Sequence, residues 1–354
     1  MHFSQFLQIF SQQFEKQLPF AIYAFPDARR ISGYLQKDAI LYIVDNLSQD
    51  GFVMAPFDVS EETVIIPRDF SEFIETTLEP MEVKKERVPL DEDKMVQEQH
   101  ELLVRQTIDT IKSGSAKKIV IARLKDIPLS GFSLETLICQ LFSAYPSVFR
   151  YVFYHPEIGI WCGATPETLV EVHRLEFKTM ALAGTQPYKE GTVLWRKKEL
   201  EEQHFVTEAI VADLQGDIKN LKVGPVETIQ AGSLLHLKCD ITGEMLDETG
   251  TLSRILNKMH PTPAVCGTPQ DFARDFIIES EAKAREFYTG YVGPLTDGGI
   301  SAAFFVNLRS MKIKDHQATL FIGGGITADS DPQEEWNETQ NKMQTMLQVL
   351  QPML

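Results

Sequence analysis

Cysteine is scarce in this chain: Cys139, Cys162, Cys239 and Cys266 are the only four in 354 residues, and no two form a CxxC pair. Each sits in an apolar or strand-like stretch, so small buried thiols are expected rather than a disulfide framework or a thiolate metal site. No apolar run is long enough for a membrane-spanning helix. Basic residues are in deficit, 34 Lys+Arg against 50 Asp+Glu, for a net charge of −16. Nucleic acid and anionic membranes both select basic faces, so neither is expected as a partner, whereas a small anionic substrate in a local pocket remains compatible. HExxH and Walker A patterns are missing, and the eight histidines lack metal-ligand spacing. There is no internal repeat and no low-complexity segment. The N-terminus shows no basic leader and no small-residue cleavage site, which predicts a cytoplasmic protein. Phe3, Leu7, Phe10 and Phe14 instead fall on one face of a short helix.

What is present is the profile of a soluble globular protein, 43% hydrophobic and 24% charged, long enough for a sizeable core. Residues 18–78 read as short strands broken by turns. A polar stretch, 79–101, leads into a helix ending at Ser113-Gly114. KKIVIAR (117–123) is an apolar strand, followed by a helix at 133–144 and strands at 150–155, 160–172 and 177–187. The spacing predicts helices over 196–220, 251–259, 269–287 and 331–350, with strands at 233–245 and between 288 and 325. Strands and helices without strict alternation argue for a mixed α/β or α+β fold, not a doubly wound sheet.

GGGITA (323–328) fits a dinucleotide-binding pattern, but only one helix follows it, so the rest of the βαβ unit is missing. The glycine run is then either an anion-binding concavity of bare N–H groups or a tight strand-to-helix turn. On the last helix, Glu335, Glu338 and Lys342 fall within about 60° of one another beside the apolar stripe. They are either a cation site or a salt-bridged, solvated edge. Glu202 projects into the apolar stripe defined by Phe205, Val206, Ala209 and Ile210, and a buried carboxylate must be paired, protonated or bound to a cation. Lys118 opens an apolar strand, as a snorkelling lysine or a base. Glu167 follows a proline turn in GATPETL, and Arg309 in VNLRSMKI is a surface residue or a carboxylate clamp.

In order along the chain stand KIVIAR, GATPETL, ALAGT, EEQHFV, HPTPAVCG, REFYTGYVG, FFVNLRS, FIGGGI and EEWNETQNK. Together they resemble the chorismate-utilising enzymes over residues 95–352. The resemblance implies a large two-sheet α/β sandwich, with residues 1–95 a variable N-terminal part of the same fold and 96–354 the catalytic region. It implies Lys118 as the base that activates water and Glu167 as the general acid. It implies Mg²⁺ held by Glu202, Glu335 and Glu338, with Glu201 as the neighbouring candidate because Gln203 interrupts the usual Glu-His pair. Gly184, Thr185, His260, Tyr288, Arg309, Gly323, Gly324, Gly325 and Lys342 are implied to bind the substrate, chorismate. No obligatory protein partner is implied. Ammonia-using relatives carry glutamine at the position of Lys118, so water chemistry is expected. HPTPA is closer to isochorismate synthases than to salicylate synthases, which also expel pyruvate. A non-catalytic chorismate- or Mg²⁺-binding homologue is the remaining alternative.

Overall fold

In a computed structural model, residues 1–354 are described except 45, 84, 85, 91, 189–192, 232, 233 and 249, and except the side chains of 185, 187, 198, 231 and 234. The chain begins with α1 (Phe3–Glu15), β1 (Phe20–Ala24), β2 (Arg30–Gln36), β3 (Tyr42–Ile43), β4 (Gly51–Ala55), β5 (Val64–Pro67) and β6 (Ser71–Thr77). It continues through α2 (Lys94–Lys112), β7 (Lys118–Pro128), α3 (Leu134–Ala144), β8 (Phe149–His155), β9 (Gly159–Thr165), β10 (Thr168–His173) and β11 (Glu176–Pro187). Then come α4 (Lys197–Leu214), β12 (Ile218–Ala231), β13 (Leu234–Met245), α5 (Thr251–Met259), β14 (Gly267–Thr268) and α6 (Gln270–Ser280). The last elements are β15 (Tyr291–Thr296), β16 (Ser301–Val306), β17 (Ser310–Lys314), β18 (Gln317–Ile326) and α7 (Pro332–Leu350).

The strands form two antiparallel sheets, ordered β14-β7-β18-β17-β9-β8-β1-β2-β6 and β12-β13-β11-β10-β16-β15-β4-β5-β3. The sheets face each other across an aromatic layer that includes Tyr23, Phe52, Phe149, Tyr151, Trp161, Phe305 and Phe321. Phe149 and Phe305, one from each sheet, stack with centroids 4.0 Å apart. The outer face of the first sheet is covered by the apolar stripes of α1, α3 and α7, and that of the second by α4 and α5. The result is the mixed α/β two-sheet sandwich, with β1, β2 and β6 in one sheet and β3 to β5 in the other. Among the described residues no helix is long and apolar enough to cross a membrane. All four cysteines are free, and Cys162, Cys239 and Cys266 are buried.

Two helices are shorter than their sequence pattern predicts. The helix expected over 196–220 ends at Leu214, because Gly216 adopts φ +87° and starts the long strand β12. The helix expected over 269–287 ends at Ser280. There Glu281 turns inward to accept from the Ala122 backbone N–H at 2.7 Å and to pair with the buried Arg285. An isolated helix would leave both groups in water; burial between β7 and the following loop redirects the chain.

Candidate active site

At one end of the sandwich a cleft opens where β7 and β18 approach β10 and β11, between α4 and α7. Lys118, Glu167, Gly184, Glu202, Tyr288, Arg309, Gly323, Gly325, Glu335, Glu338 and Lys342 all line this one cavity. Sequence separation between them exceeds 200 residues; the sheet register brings them together.

β7 and β18 pair with Gly325 opposite Val120 and Gly323 opposite Ala122. The three glycines lie inside β18, so the run is not a tight turn. Their bareness has a packing cause. A Cβ on Gly323 would sit 2.9 Å from the Tyr288 hydroxyl, one on Gly324 3.3 Å from Glu335 Oε2, and one on Gly325 2.8 Å from Lys118 Cε. Successive strand residues face opposite sides. Gly323 and Gly325 therefore line the cleft, whereas Gly324 faces the start of α7 and is not among the lining residues, contrary to the expectation for it.

Lys118 is buried at the start of β7, and its Nζ donates to Glu202 Oε1 at 2.7 Å. Glu202 thus projects from α4 into the cleft, while Glu201 pairs with Lys197 on the exposed flank. Glu167 follows the Pro166 break between β9 and β10. Burial pushes its carboxyl up to about 7, against the opposing charge of Lys118 and a long contact of 3.5 Å from the Thr262 hydroxyl. A carboxylic acid in an apolar setting beside a basic group is the arrangement of a general acid.

α7 starts with a strong N-cap: the Asp331 carboxylate accepts from the Gln333 and Glu334 N–H groups, and Pro332 occupies the first turn. That cap points Glu335 and Glu338 at the cleft. Glu335 is buried and accepts from Ser330 Oγ at 2.7 Å. Lys342 bridges Glu338 at 2.6 Å and the Gly323 carbonyl at 2.8 Å. Among the described residues no three His, Cys, Asp or Glu side chains cluster as a ready metal cage. The carboxylates instead form an open wall.

On the opposite wall, the Tyr288 phenol stacks on Phe321, and burial pushes it up to about 12. Arg309 is held below its ordinary value by burial, which Tyr288 and Glu338 oppose. Its φ of +47° is a costly conformation for a residue with a Cβ, on the order of 1 kcal/mol. The Arg309 carbonyl nevertheless accepts from Ala164 N at 3.1 Å, which locks that backbone in place.

His260 is a correction. It does not line the cleft: its Nε2 lies 2.8 Å from the Pro56 carbonyl, its ring stands edge-on to Tyr291, and it borders a separate cavity with Glu61 and Arg274. The C-cap of α5 turns the side chain backward, and Thr262, two residues on, reaches Glu167 instead. Another histidine takes the wall. His236, from β13, lines the cleft with Nδ1 3.2 Å from the Gly184 carbonyl. Burial, with Arg309 and Lys342 nearby, holds His236 down to about 3, so it is neutral at pH 7. Gly184 has φ +72° and abuts Glu199. Thr185 pairs with His236 through the backbone, and its side chain lies outside the described residues. Glu199 and Glu334 also line the cleft. A sequence signal existed for Glu199: Glu199-x-x-Glu202 repeats the spacing of Glu335-x-x-Glu338, so each helix carries two carboxylates one turn apart.

The family model of the chorismate binding enzymes matches residues 57–351. Isochorismate synthase DhbC of Bacillus subtilis is 34% identical over 198 residues, 53% of this chain and 50% of that protein. Isochorismate synthase MenF of Escherichia coli is 31% identical over 261 residues, 70% of this chain and 59% of that protein. The matched segments therefore span between half and three-fifths of these curated relatives. The crystal structure of the Bacillus anthracis protein described as 2,3-dihydroxybenzoate-specific isochorismate synthase DhbC superposes with TM-score 0.80 at 26% identity, over 96% of this chain and 99% of that one.

Proposed function

The chain belongs to the chorismate binding enzymes, and on that premise we propose that it is an isochorismate synthase, exchanging the 4-hydroxyl of chorismate for a hydroxyl at C2. The observation that carries this reading is that Lys118 and Glu167 line one cleft, where burial pushes the Glu167 carboxyl up to about 7. Lys118 takes a proton from the attacking water, and Glu202, 2.7 Å away, stabilises the ammonium that forms. The water oxygen bonds to C2, the ring double bonds shift, and the C4–O bond breaks. Glu167 gives its proton to the departing hydroxyl, which leaves as water. One water enters and one leaves, so the product is an isomer. Arg309 and Tyr288 hold the pyruvyl carboxylate, with Lys342 near the ring.

The donor set suits a hard divalent cation. It consists of carboxylates from two helices with no thiolate, and hard divalent cations take oxygen ligands from carboxylates, waters and substrate. Glu202, Glu335 and Glu338 would hold it, and the bound ion would neutralise the ring carboxylate and polarise the conjugated acid. The test is incubation with chorismate and Mg²⁺ near neutral pH, with every product identified. A reversible mixture of chorismate and isochorismate is expected. Stoichiometric pyruvate and salicylate would make the protein a salicylate synthase, an amino product with ammonia would reject both, and no turnover would leave a binding protein.

A further inference from the structure

Arg123 ends the KIVIAR segment, on the face of β7 opposite the cleft, and the proposed chemistry does not use it. It is buried, and its contacts are specific. Its Nε donates to Thr339 Oγ1 at 2.8 Å, and the guanidinium lies 4.1 Å from the centre of the Trp336 ring. Its Nη2 reaches Glu92 Oε1 at 3.2 Å, and Glu92 also takes Lys125 and Gln340. The Thr339 hydroxyl, in turn, donates to the Trp336 carbonyl at 2.7 Å. A relay therefore runs from the strand into the backbone of α7.

Trp336 directly follows Glu335, and Thr339 directly follows Glu338. Each helix residue advances by about 100°, so a slip of one residue around α7 swings both carboxylates away from the cleft. Apolar packing alone specifies that phase weakly, because Met343, Met346 and Leu347 are unbranched or γ-branched and repack easily. A directional bond from Nε, a cation–π contact with Trp336 and a bare Gly324 beneath Glu335 fix both phase and height.

We propose that Arg123, acting through Thr339, is a positioning residue that sets the rotational phase of α7 and so tunes the affinity of the Glu335 and Glu338 wall for a divalent cation. The inference rests on the reading of that wall as the cation side of the cleft. Partners that orient metal ligands typically change affinity by about 10–100-fold when removed.

The experiment uses the full chain and Mn²⁺ alone, titrated and read by the loss of its free electron-paramagnetic-resonance signal, so no turnover is needed. Thr339→Val keeps the shape and removes the acceptor; Thr339→Ser keeps the acceptor. The expected result is Mn²⁺ binding about tenfold weaker for Thr339→Val and Arg123→Met, and unchanged for Thr339→Ser. In turnover assays the half-saturating Mg²⁺ rises by the same factor, with kcat at saturating Mg²⁺ within threefold of the parent. If Arg123→Met does not fold, Thr339→Val carries the test. Thr339→Val binding Mn²⁺ within twofold of the parent, or Thr339→Ser losing as much as Thr339→Val, overturns the proposal. So does a parent protein that binds no Mn²⁺. A parent that binds Mn²⁺ tightly yet forms another chorismate product sinks the isochorismate reading and leaves this one standing.

Discussion

Gly325→Ala is the perturbation that separates chemistry from stability most sharply. The added Cβ would lie 2.8 Å from Lys118 Cε, 3.4 Å from its Nζ and 3.7 Å from Glu202 Oε1. Ordinary carbon–carbon contact is about 3.5–4.0 Å, so the end of the Lys118 side chain must retreat by roughly 0.7–1.2 Å. That end is flexible and Gly325 sits in regular strand, so the fold should change by less than about 1 kcal/mol. Catalysis should be less forgiving: a misplacement of about 1 Å costs on the order of 10² in rate. Gly324→Ala is the internal control. Its Cβ would meet only Glu335 Oε2, at 3.3 Å, on the other face of the strand. The assay is steady-state turnover of chorismate with thermal melting of each variant. Gly325→Ala should lower kcat by about 100-fold at an unchanged melting midpoint, and Gly324→Ala should mainly raise the Mg²⁺ requirement. If Gly325→Ala turns over within threefold of the parent, the Lys118 position is not what the glycine protects. A collapse in melting midpoint would show that the glycine is needed for folding.

Three further outcomes are expected. Lys118→Ala should keep the fold and lower turnover by about 10²–10⁴-fold, with a smaller change in substrate binding measured by fluorescence quenching. Glu167 titrates near 7 in the folded protein, above its unfolded value, so the folded state holds the extra proton between the two. Stability from this group is therefore present at low pH and lost as pH rises through about 7; turnover should fall over the same range. Glu167→Gln should abolish turnover and gain melting temperature relative to the parent as pH rises from about 4.5 to about 7. Chelation should abolish turnover and added Mg²⁺ restore it, read as isochorismate formed per minute.

Much of the fold was legible because burial leaves periodicity. α1, α3, α5 and α7 each carry an apolar stripe bounded by recognisable ends, and their observed limits fall within a few residues of the pattern. β12 left no such trace. It is an edge strand with Val223 and Val226 exposed, so neither face alternates cleanly and the helical pattern of α4 read straight into it. Edge position, not propensity, decides that segment. The end of α6 was hidden for a different reason: Glu281 and Arg285 look like an ordinary i,i+4 surface pair in sequence, and only the fold reveals them as a buried couple holding Ala122 and Val120.

The two histidines show where reading the site from sequence stops. His260 sits in a motif-rich turn, His236 in an apolar strand, SLLHLKCD, that invites the reading of a core residue. Both are buried, and burial holds both below the ordinary histidine range, to about 4 and about 3. What distinguishes them is direction. At the α5 C-cap one ring is turned onto Pro56; in β13 alternation is constrained by pairing with β11, where the register shift between Ala183 and Thr185 sets His236 beside Gly184. A one-residue slip in that register would send His236 to the other face of the sheet. The bulge is therefore as much a determinant of the cleft as any of its charged groups. It is invisible in a sequence whose local pattern, Leu235-His236-Leu237, is the same in either register.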